Sequence, residues 1–406
     1  MREQFLNFCT PAIGEEEIAE VCDTLRSPWI TTGPKVREFE RAFAQFTGAP
    51  ASLALSSCTA ALHLALVSLG IGQGDAVVTS PLTFCSGINV IEHVGARPLL
   101  VDVEPDTLNL DPLRVRKLLE QHRSRRGDVR IKALMPVHLH GHPADLDPFV
   151  ALAEEYGLAI IEDAAHSLPA RYRGRRIGSL PAHSKIPWLT AFSFYATKNL
   201  TTAEGGMLTG PPALIDEARL WSLHGMSRDA WKRYGPGGSW FYEVVRPGFK
   251  CNMTDIQASL GLRQLQRLEE LHHRRKLIVE RYNRGFAAMP ELQLPASRTE
   301  VEHAWHLYVL RLHTERTRLS RDRWAEELKA RNIGSSVHFI PVHLHPYYRD
   351  KYHWQPADFP IAYHEFTRML SLPLSPRMSD RDVDDVIEAT AEILRDHALA
   401  AQAASR

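Results

Sequence analysis

The sequence predicts an α/β fold in which a mostly parallel, doubly wound sheet is followed by a smaller α+β domain. Short apolar runs between about residues 50 and 210 alternate with segments of helical pattern, which is typical of parallel strands covered by helices on both faces. The predicted strands are 53–55, 76–79, 98–101, 133–137, 158–161, 191–194 and 206–209. The last third of the chain has a different pattern, with one long helix and few strand-like runs.

The segments between these runs are predicted to be helices. Leu62, Leu66 and Leu69 share one helical face, as the 3.6-residue period requires. Residues 149–156 form another candidate, which Gly157 would end. Because each helix leads back to a new strand, the carboxyl ends of the strands should meet at one edge, where such sheets bind ligands.

The second domain is predicted to be joined to the first by a long helix. Residues 254–257 (TDIQ) form a capping box, and a helical pattern follows to about residue 287. The remaining predicted elements are strands at 305–312 and 335–340, a helix at 320–331 and a closing helix from about residue 380. We therefore predict a large domain at 15–265 and a small one at 266–406, with residues 1–14 packing on the small domain.

Composition excludes several classes of function. The 406 residues include 48 Lys and Arg and 48 Asp and Glu, so there is no net positive charge of the kind that nucleic acids or membrane surfaces attract. No apolar run approaches the ~20 residues that cross a bilayer, and the first residues do not resemble a signal peptide. The five cysteines are odd in number and scattered, which does not suggest a disulfide framework. We expect a cytoplasmic protein.

Three segments carry candidate chemistry, and the first is 56–60 (SSCTA), which lies between a strand and a helix. The unpaired N–H groups and the dipole at a helix start favour an anion such as phosphate. The alternative is an ordinary helix cap, which Ser and Thr commonly supply. This segment does not decide between the two by itself.

The second segment is Asp163, which ends an apolar run and precedes two alanines. A carboxylate there can lie deep in a pocket beneath a flat ligand, although an Asp that caps a helix is equally consistent with the pattern.

The third is Lys198, which follows a strand and precedes Gly205 and Gly206 in a context of small and apolar residues. Such a lysine can form a Schiff base with a carbonyl once burial lowers its pKa from ~10.4. The alternative is a lysine that only pairs with a carboxylate.

Together the three segments match one cofactor. Pyridoxal 5′-phosphate (PLP) needs a phosphate site, an anion beside its pyridine nitrogen and a lysine for its aldehyde. The chain supplies these in order, each at the end of a predicted strand. The pattern therefore predicts a PLP enzyme.

At this point the chain resembles the DegT/DnrJ/EryC1/StrS family of PLP-dependent sugar aminotransferases, which have the aspartate-aminotransferase fold (PLP fold type I). The likeness runs nearly end to end. The segments that carry it are TTGP (31–34), SSCTAALHLAL (56–66), PVHLHGHPADLDP (136–148), IEDAAHS (161–167), SFYATKNLTTAEGGM (193–207), HGMSRD (224–229), GFKCNMTDIQASLGL (248–262), AWHLYVLRL (304–312) and HFIPVHLHPYY (338–348).

The resemblance implies roles for single residues. Lys198 would hold the cofactor, and Asp163 would keep the pyridine nitrogen protonated. Phe84 would stack on the ring, and His166 would touch the ring hydroxyl or the opposite face. The residues expected at the phosphate are Cys58, Thr59, Ser193 and, from the neighbouring subunit, Asn252.

Two departures from the family pattern bear on these roles. Many members read GYNYRM where this chain has GFKCNM (248–253), so the asparagine of the neighbouring subunit is two positions later; Lys250 could then face an anionic substrate. The stretch 171–195 is also longer than usual, and we expect its extra residues near 185–190 to form a loop.

Two histidine clusters could suggest a metal site. They are His138, His140 and His142, then His338, His343 and His345. Both lie in motifs of a family that needs no metal, and no acidic ligands are grouped beside them, so we predict pocket walls and no metal.

The resemblance predicts a homodimer with active sites at the subunit interface. An amino group would move from glutamate or glutamine, through pyridoxamine 5′-phosphate, to a nucleotide-linked keto-sugar. The alternatives are a cyclitol or other ketone as acceptor, another PLP reaction, or a PLP-binding regulator. Sugar dehydratases related to this family carry histidine at the position of the lysine. The presence of Lys198 therefore argues against a dehydratase.

Overall fold

The seven predicted runs form one central sheet in the computed structural model, which describes residues 2–125, 129–180, 185–226 and 241–399. The strands of these residues are β1 (Ala51–Leu55), β2 (Asp75–Thr79), β3 (Arg97–Leu100), β4 (Arg130–Met135), β5 (Ala159–Asp163), β6 (Arg171–Tyr172), β7 (Arg175–Arg176), β8 (Trp188–Ser193), β9 (Gly206–Gly210), β10 (Leu292–Gln293), β11 (Val301–Glu302), β12 (Tyr308–Leu312) and β13 (Met369–Leu372). The order across the central sheet is β1-β9-β8-β5-β4-β2-β3, and β9 alone runs antiparallel to its neighbours. The predicted α/β fold class is confirmed.

Helices cover both faces of this sheet. They and the helices that follow are α1 (Glu15–Arg26), α2 (Pro34–Thr47), α3 (Cys58–Ser68), α4 (Ser86–His93), α5 (Pro112–Arg125), α6 (Leu146–Tyr156), α7 (Pro212–Ser222), α8 (Asp255–Phe286), α9 (Arg321–Ala330), α10 (Pro346–Tyr352), α11 (Pro360–Arg368) and α12 (Asp380–Asp396). The predicted helices around Leu66 and residues 149–156 are α3 and α6, and Gly157 ends α6 with a positive φ of 67°.

Side chains of successive strand residues point to opposite faces, so the sheet supports two cores. In β5, Ile160 belongs to the core beneath α2, α6 and α8, whereas Ile161 belongs to the core beneath α3, α4 and α7. In the first core, the buried ring of Phe43 packs edge-on against Phe192 of β8, with ring centroids 5.0 Å apart. Burial on both faces fixes the register of each strand and thus the position of its last residue.

Helix α8 joins this unit to the C-terminal elements. The predicted capping box is present, since the Thr254 hydroxyl accepts from the N–H of Gln257 and the Gln257 side chain accepts from the N–H of Thr254. Leu268 belongs to the first core, whereas Tyr282 packs in a third core with β12, β13 and α12. The proposed boundary at 265/266 falls inside this continuous helix, and the division there remains a prediction.

The N-terminal residues lie against the C-terminal elements. Leu6 donates its N–H to the carbonyl of Asn332 at 2.8 Å and accepts from the N–H of Gly334 at 2.9 Å. From there the chain passes Phe8 and Cys9 at the wall of the cavity described below. The N-terminal segment thereby contacts residues 332–334 and reaches the site.

Two local predictions were wrong. Residues 335–340 do not form a strand, because Ser336 pairs with Ser371 in a single bridge only. The carbonyl of His338 accepts a hydrogen bond from the His140 side chain at 2.8 Å. The expected loop at 185–190 ends early because Trp188 begins β8, where its buried ring belongs to the first core. Residues 181–184 and 227–229 of the quoted motifs lie outside the described residues. No described helix is long and apolar enough to span a membrane.

Candidate active site

A cavity of about 460 Å³ opens at the carboxyl ends of the parallel strands. Seven of the eight predicted site residues line it: Cys58, Thr59, Phe84, Asp163, His166, Ser193 and Lys198. They come from segments far apart in sequence, and they meet because β1, β2, β5 and β8 all end at this edge. Asn252 is not among the residues that line the cavity.

The start of α3 forms one end of the cavity. The hydroxyl of Ser57 caps the helix by accepting from the N–H of Ala60 at 3.0 Å. Cys58 and Thr59 follow as the first two helical residues, whose N–H groups have no partner within a helix. The two readings of this segment are therefore compatible, since Ser57 is the cap and the next residues can hold an anion. Burial raises the pKa of the Cys58 thiol well above its usual value, so the thiol there is neutral.

Gly206 lets β9 pass close to this helix start. A Cβ atom on Gly206 would lie 2.4 Å from the carbonyl carbon of Ser57 and 2.5 Å from the backbone nitrogen of Cys58, far inside van der Waals contact. Only glycine fits without moving the backbone that would hold the anion. Gly206, the second glycine of the lysine motif, is therefore required at the end of the cavity where the phosphate would bind.

Asp163 is the last residue of β5. Its backbone forms two hydrogen bonds with the segment after β4: its N–H donates to the Pro136 carbonyl at 2.9 Å, and its carbonyl accepts from the N–H of His138 at 3.1 Å. Its carboxylate accepts from the N–H of Ala165 at 3.1 Å. Burial raises the pKa of Asp163, while that hydrogen bond and the charge of Lys198 act in the opposite direction. A carboxylate so poorly solvated favours a cationic partner, such as a protonated pyridine nitrogen.

Glu162 stabilises this strand end from the opposite face of the sheet. Its carboxylate accepts from the indole N–H of Trp188 at 2.7 Å, from Nε2 of His138 at 2.8 Å and from the hydroxyl of Thr190. Nδ1 of His138 accepts from the N–H of Ala144 at 3.0 Å, so the ring must donate through Nε2. His138 therefore has a structural role, and sequence reasoning did not anticipate Glu162.

Lys198 lies in the turn after β8. Its N–H donates to the Tyr195 carbonyl at 2.9 Å, and the N–H of Thr202 closes the turn on the Phe194 carbonyl at 2.9 Å. Burial lowers the pKa of Lys198 to about 8, although the charge of Asp163 partly opposes that effect. At pH 7 roughly a tenth of such a lysine is the free amine that attacks a carbonyl, against less than about 0.1% for an exposed lysine.

This pKa predicts how fast the cofactor-free protein captures PLP. Folding lowers the pKa of Lys198 to about 8, so the reactive amine accumulates as pH rises, from about half of the molecules at pH 8 to about nine tenths at pH 9. The rate of covalent capture should increase about tenfold between pH 7 and pH 9 and then level off. Stopped-flow absorbance at constant PLP measures it. A rate that keeps climbing to pH 10 would show that the lysine has an ordinary pKa.

Further residues of the cavity come from the N-terminal and C-terminal parts of the chain. They are Phe8, Cys9, His306, His338 and Phe339, and sequence reasoning assigned none of them a cofactor or catalytic role. Phe339 packs on His166 with ring centroids 5.6 Å apart and planes at 26°, and it lies 5.7 Å from Phe84. His306, His338 and Phe339 lie within the quoted motifs, and His338 belongs to a histidine cluster that was predicted to form a pocket wall.

A model of the DegT/DnrJ/EryC1/StrS aminotransferase family matches residues 11–391. The chain belongs to this family. It is 50% identical over 396 residues to the spore coat polysaccharide biosynthesis protein SpsC of Bacillus subtilis, covering 97% of this chain and 98% of SpsC. Among solved structures, it matches the pyridoxamine-phosphate (PMP) form of the putative sugar aminotransferase Spr1654 from Streptococcus pneumoniae with a TM-score of 0.85 and 37% identity, over 96% of this chain and 99% of that one. DesV of S. venezuelae matches with a TM-score of 0.82 and 33% identity, over 93% and 94%.

Membership in this aminotransferase family settles the class of enzyme and the cofactor. The protein is a PLP-dependent aminotransferase with PLP fold type I. The residues present fit PLP, since a helix start that can hold a phosphate, a buried carboxylate and a lysine of low pKa line one cavity. Predicted fold, enzyme class and cofactor are thus confirmed.

Proposed function

We propose that this aminotransferase moves an amino group from glutamate or glutamine to a keto-sugar, most simply one linked to a nucleotide. The observation that carries the proposal is Lys198, an amine of low pKa that shares one cavity with Asp163 and the start of α3. The sugar is supported by SpsC, whose name refers to polysaccharide biosynthesis, and by Spr1654, described as a putative sugar aminotransferase. The amino donor and the nucleotide come from the family resemblance.

The roles of the residues follow from their positions in the cavity. Bound PLP supplies an electron-withdrawing ring that stabilises the carbanion formed at Cα of the amino donor. Asp163 would keep a proton on the ring nitrogen through its negative charge, Phe84 would stack on the ring, and His166 would touch the ring hydroxyl or the opposite face. Three residues would hold the phosphate: Cys58, Thr59 and Ser193.

Lys198 has two tasks in this proposal. It would hold the cofactor covalently, and as a free amine it would remove and return the proton at Cα of the amino donor. A pKa of about 8 suits the second task, because the amine can both accept and return a proton near neutral pH.

We also propose a homodimer in which Asn252 reaches the phosphate of the partner subunit. Within its own chain, Asn252 bonds Lys250 and the hydroxyl of Thr32. The neighbouring segment exposes large apolar side chains, which an interface would cover. They are Phe241, Tyr242, Val244, Val245 and Phe249. In this arrangement Lys250 would face an anionic part of the substrate.

The experiment uses the purified, PLP-loaded enzyme. Mixing it with L-glutamate should shift the absorbance from the PLP form to the PMP form and release one 2-oxoglutarate per site. The PMP form is then mixed with a panel of nucleotide-linked keto-sugars and cyclitol ketones, and return of the PLP absorbance identifies the acceptor. D-Glutamate is the control for the first step. The proposal fails if neither L-glutamate nor L-glutamine converts the enzyme, or if no keto-sugar regenerates it.

A further inference from the structure

A second cavity, of about 390 Å³, lies between residues 12–13, the middle of α8 and residues 376–377. Leu268 of α8 belongs to the first core and Ile278 to the third, so the second cavity lies where the two parts of the molecule join. Small-molecule sites commonly have this volume and this position between two units. None of the residues that line it lines the active site.

Three arginines line the second cavity, and they differ in how their charge is balanced. Arg267 forms an ion pair with Glu17 at 2.9 Å. Arg274 forms one with Asp380 at 2.8 Å. Arg377 is exposed, and among the residues that the structure describes it has no carboxylate partner. Its guanidinium group is therefore available to an anion from solution.

Apolar side chains share the second cavity with this free charge. Leu271 is buried, whereas Leu277 keeps 41% of its surface exposed. Glu270 also lines the second cavity, but it lies 3.7 Å from Arg267 and forms no ion pair with Arg377 in the described part of the chain. A concave apolar surface with one available guanidinium group fits an organic anion, whose carboxylate or phosphate would pair with the arginine.

The N-terminal segment connects the second cavity to the active site. Residues 12–13 line the second cavity and residues 8–9 line the active site, so only two residues separate them. The thiol of Cys9 donates to the carbonyl of Thr197 at 3.4 Å, and Thr197 directly precedes Lys198. A shift of this segment would therefore be felt beside the catalytic lysine.

A C-terminal segment accompanies it, from Leu374 in the active site to Arg377 in the second cavity. The hydroxyl of Ser375 donates to the carbonyl of Thr10 at 2.8 Å. Arg377 donates to the carbonyl of Pro11 at 3.5 Å, which is the limit of a hydrogen bond. The contact between the two segments is thus firm near the active site and weak at the second cavity.

Helix α8 supplies another connection. Arg274 lines the second cavity, and the next residue, Arg275, is only 2% exposed. Nη1 of Arg275 donates to the carbonyl of Leu374 at 3.1 Å and to that of Trp305 at 3.2 Å. The same turn of α8 therefore borders the second cavity and anchors the C-terminal segment at the active site.

We propose that the second cavity binds a small organic anion that inhibits amino transfer. The anionic group pairs with Arg377, and the apolar part packs on Leu271 and Leu277. Pairing draws Arg377 away from the carbonyl of Pro11, so residues 8–9 are held less firmly and the active site binds the amino donor more weakly. By linkage, the donor weakens binding of the anion by the same factor. The inference goes beyond the proposed function, because this site takes no part in the reaction.

The first test measures binding to the PLP-loaded enzyme by isothermal titration calorimetry. Benzoate and phenyl phosphate present the two kinds of anionic group on one ring, and the tighter of them identifies the group that the site prefers. Benzyl alcohol, which lacks the charge, and inorganic phosphate, which lacks the ring, should each bind at least about tenfold more weakly than that ligand. Arg377→Gln should weaken its binding at least about tenfold. Arg381→Gln, at a position that is 71% exposed, is the matched control.

The second test measures coupling to the active site. At a saturating concentration of the preferred anion, the KM for L-glutamate in the first half-reaction should rise about fivefold or more, which is typical of coupled sites. Arg377→Gln should remove this response to the anion. If another amino donor converts the enzyme in place of L-glutamate, that donor is used, so the proposed donor can fail without deciding this inference.

Three results would overturn the inference. The first is that neither benzoate nor phenyl phosphate binds. The second is that the preferred anion binds Arg377→Gln as tightly as the unmodified enzyme, which would place it elsewhere, for instance in the active site as a competitor of the donor. The third is binding that depends on Arg377 but leaves the KM of the donor unchanged, which would show that the second cavity is not coupled to the reaction.

Discussion

Replacing Lys198 with alanine is expected to slow amino transfer by roughly 10⁴-fold or more while leaving the fold intact. The variant loses the group that holds the cofactor covalently and also the base that moves the proton. PLP should still bind reversibly, because the start of α3, Ser193 and Asp163 are unchanged. The absorbance of the covalent form should be absent, and single-turnover mixing with L-glutamate measures the residual rate.

The fold should tolerate this change. Burial makes the charged form of Lys198 unfavourable, which is why its pKa falls to about 8, so removing the amine relieves a cost of folding at pH 7. The melting temperature of the cofactor-free variant should therefore be no lower than that of the unmodified protein. Lys132→Ala, at an exposed position on β4, is the control and should alter neither property. Turnover retained in Lys198→Ala would remove the basis of the mechanism.

The strands of the central sheet could be predicted from sequence because most of them are short, apolar and buried on both faces. Ile160 and Ile161 show why, since each fills a different core and a polar residue would fit in neither. The ends of the strands follow from the same pattern. Asp163 and Lys198 were found because polar residues at the ends of apolar runs must lie at the edge where ligands bind.

The rest of the cavity depends on contacts that no local pattern encodes. His306 reaches the site only because Gly141 admits residues 304–306 beside the loop after β5. Residues 335–340 have the composition of a strand, yet the His338 carbonyl bonds His140 instead of extending a sheet. Glu162 was overlooked because its three donors come from two other segments, at His138, Trp188 and Thr190.

Asp163→Asn is expected to lower the rate of proton removal from the amino donor by about 10²- to 10⁴-fold, through loss of charge and not of shape. The amide oxygen can still accept from the N–H of Ala165, so the loop after β5 should keep its position. Without an anion, the ring nitrogen loses its proton, and the ring withdraws electrons less strongly. Since the anion acts on the reacting state, kcat should fall much more than the affinity for glutamate.

The adjacent carboxylate offers the contrast that tests this reasoning. Glu162→Gln leaves the cavity untouched but places an NH₂ group among three donors, so it should destabilise the fold by about 1–3 kcal/mol, measured as the free energy of unfolding. Its effect on the rate of the folded enzyme should be small beside that of Asp163→Asn.

A deuterium isotope effect on Cα that increases in Asp163→Asn would place the loss at proton removal. An unchanged rate in Asp163→Asn would mean that another anion serves the ring nitrogen, and Glu204 is the other carboxylate that lines the cavity among the described residues.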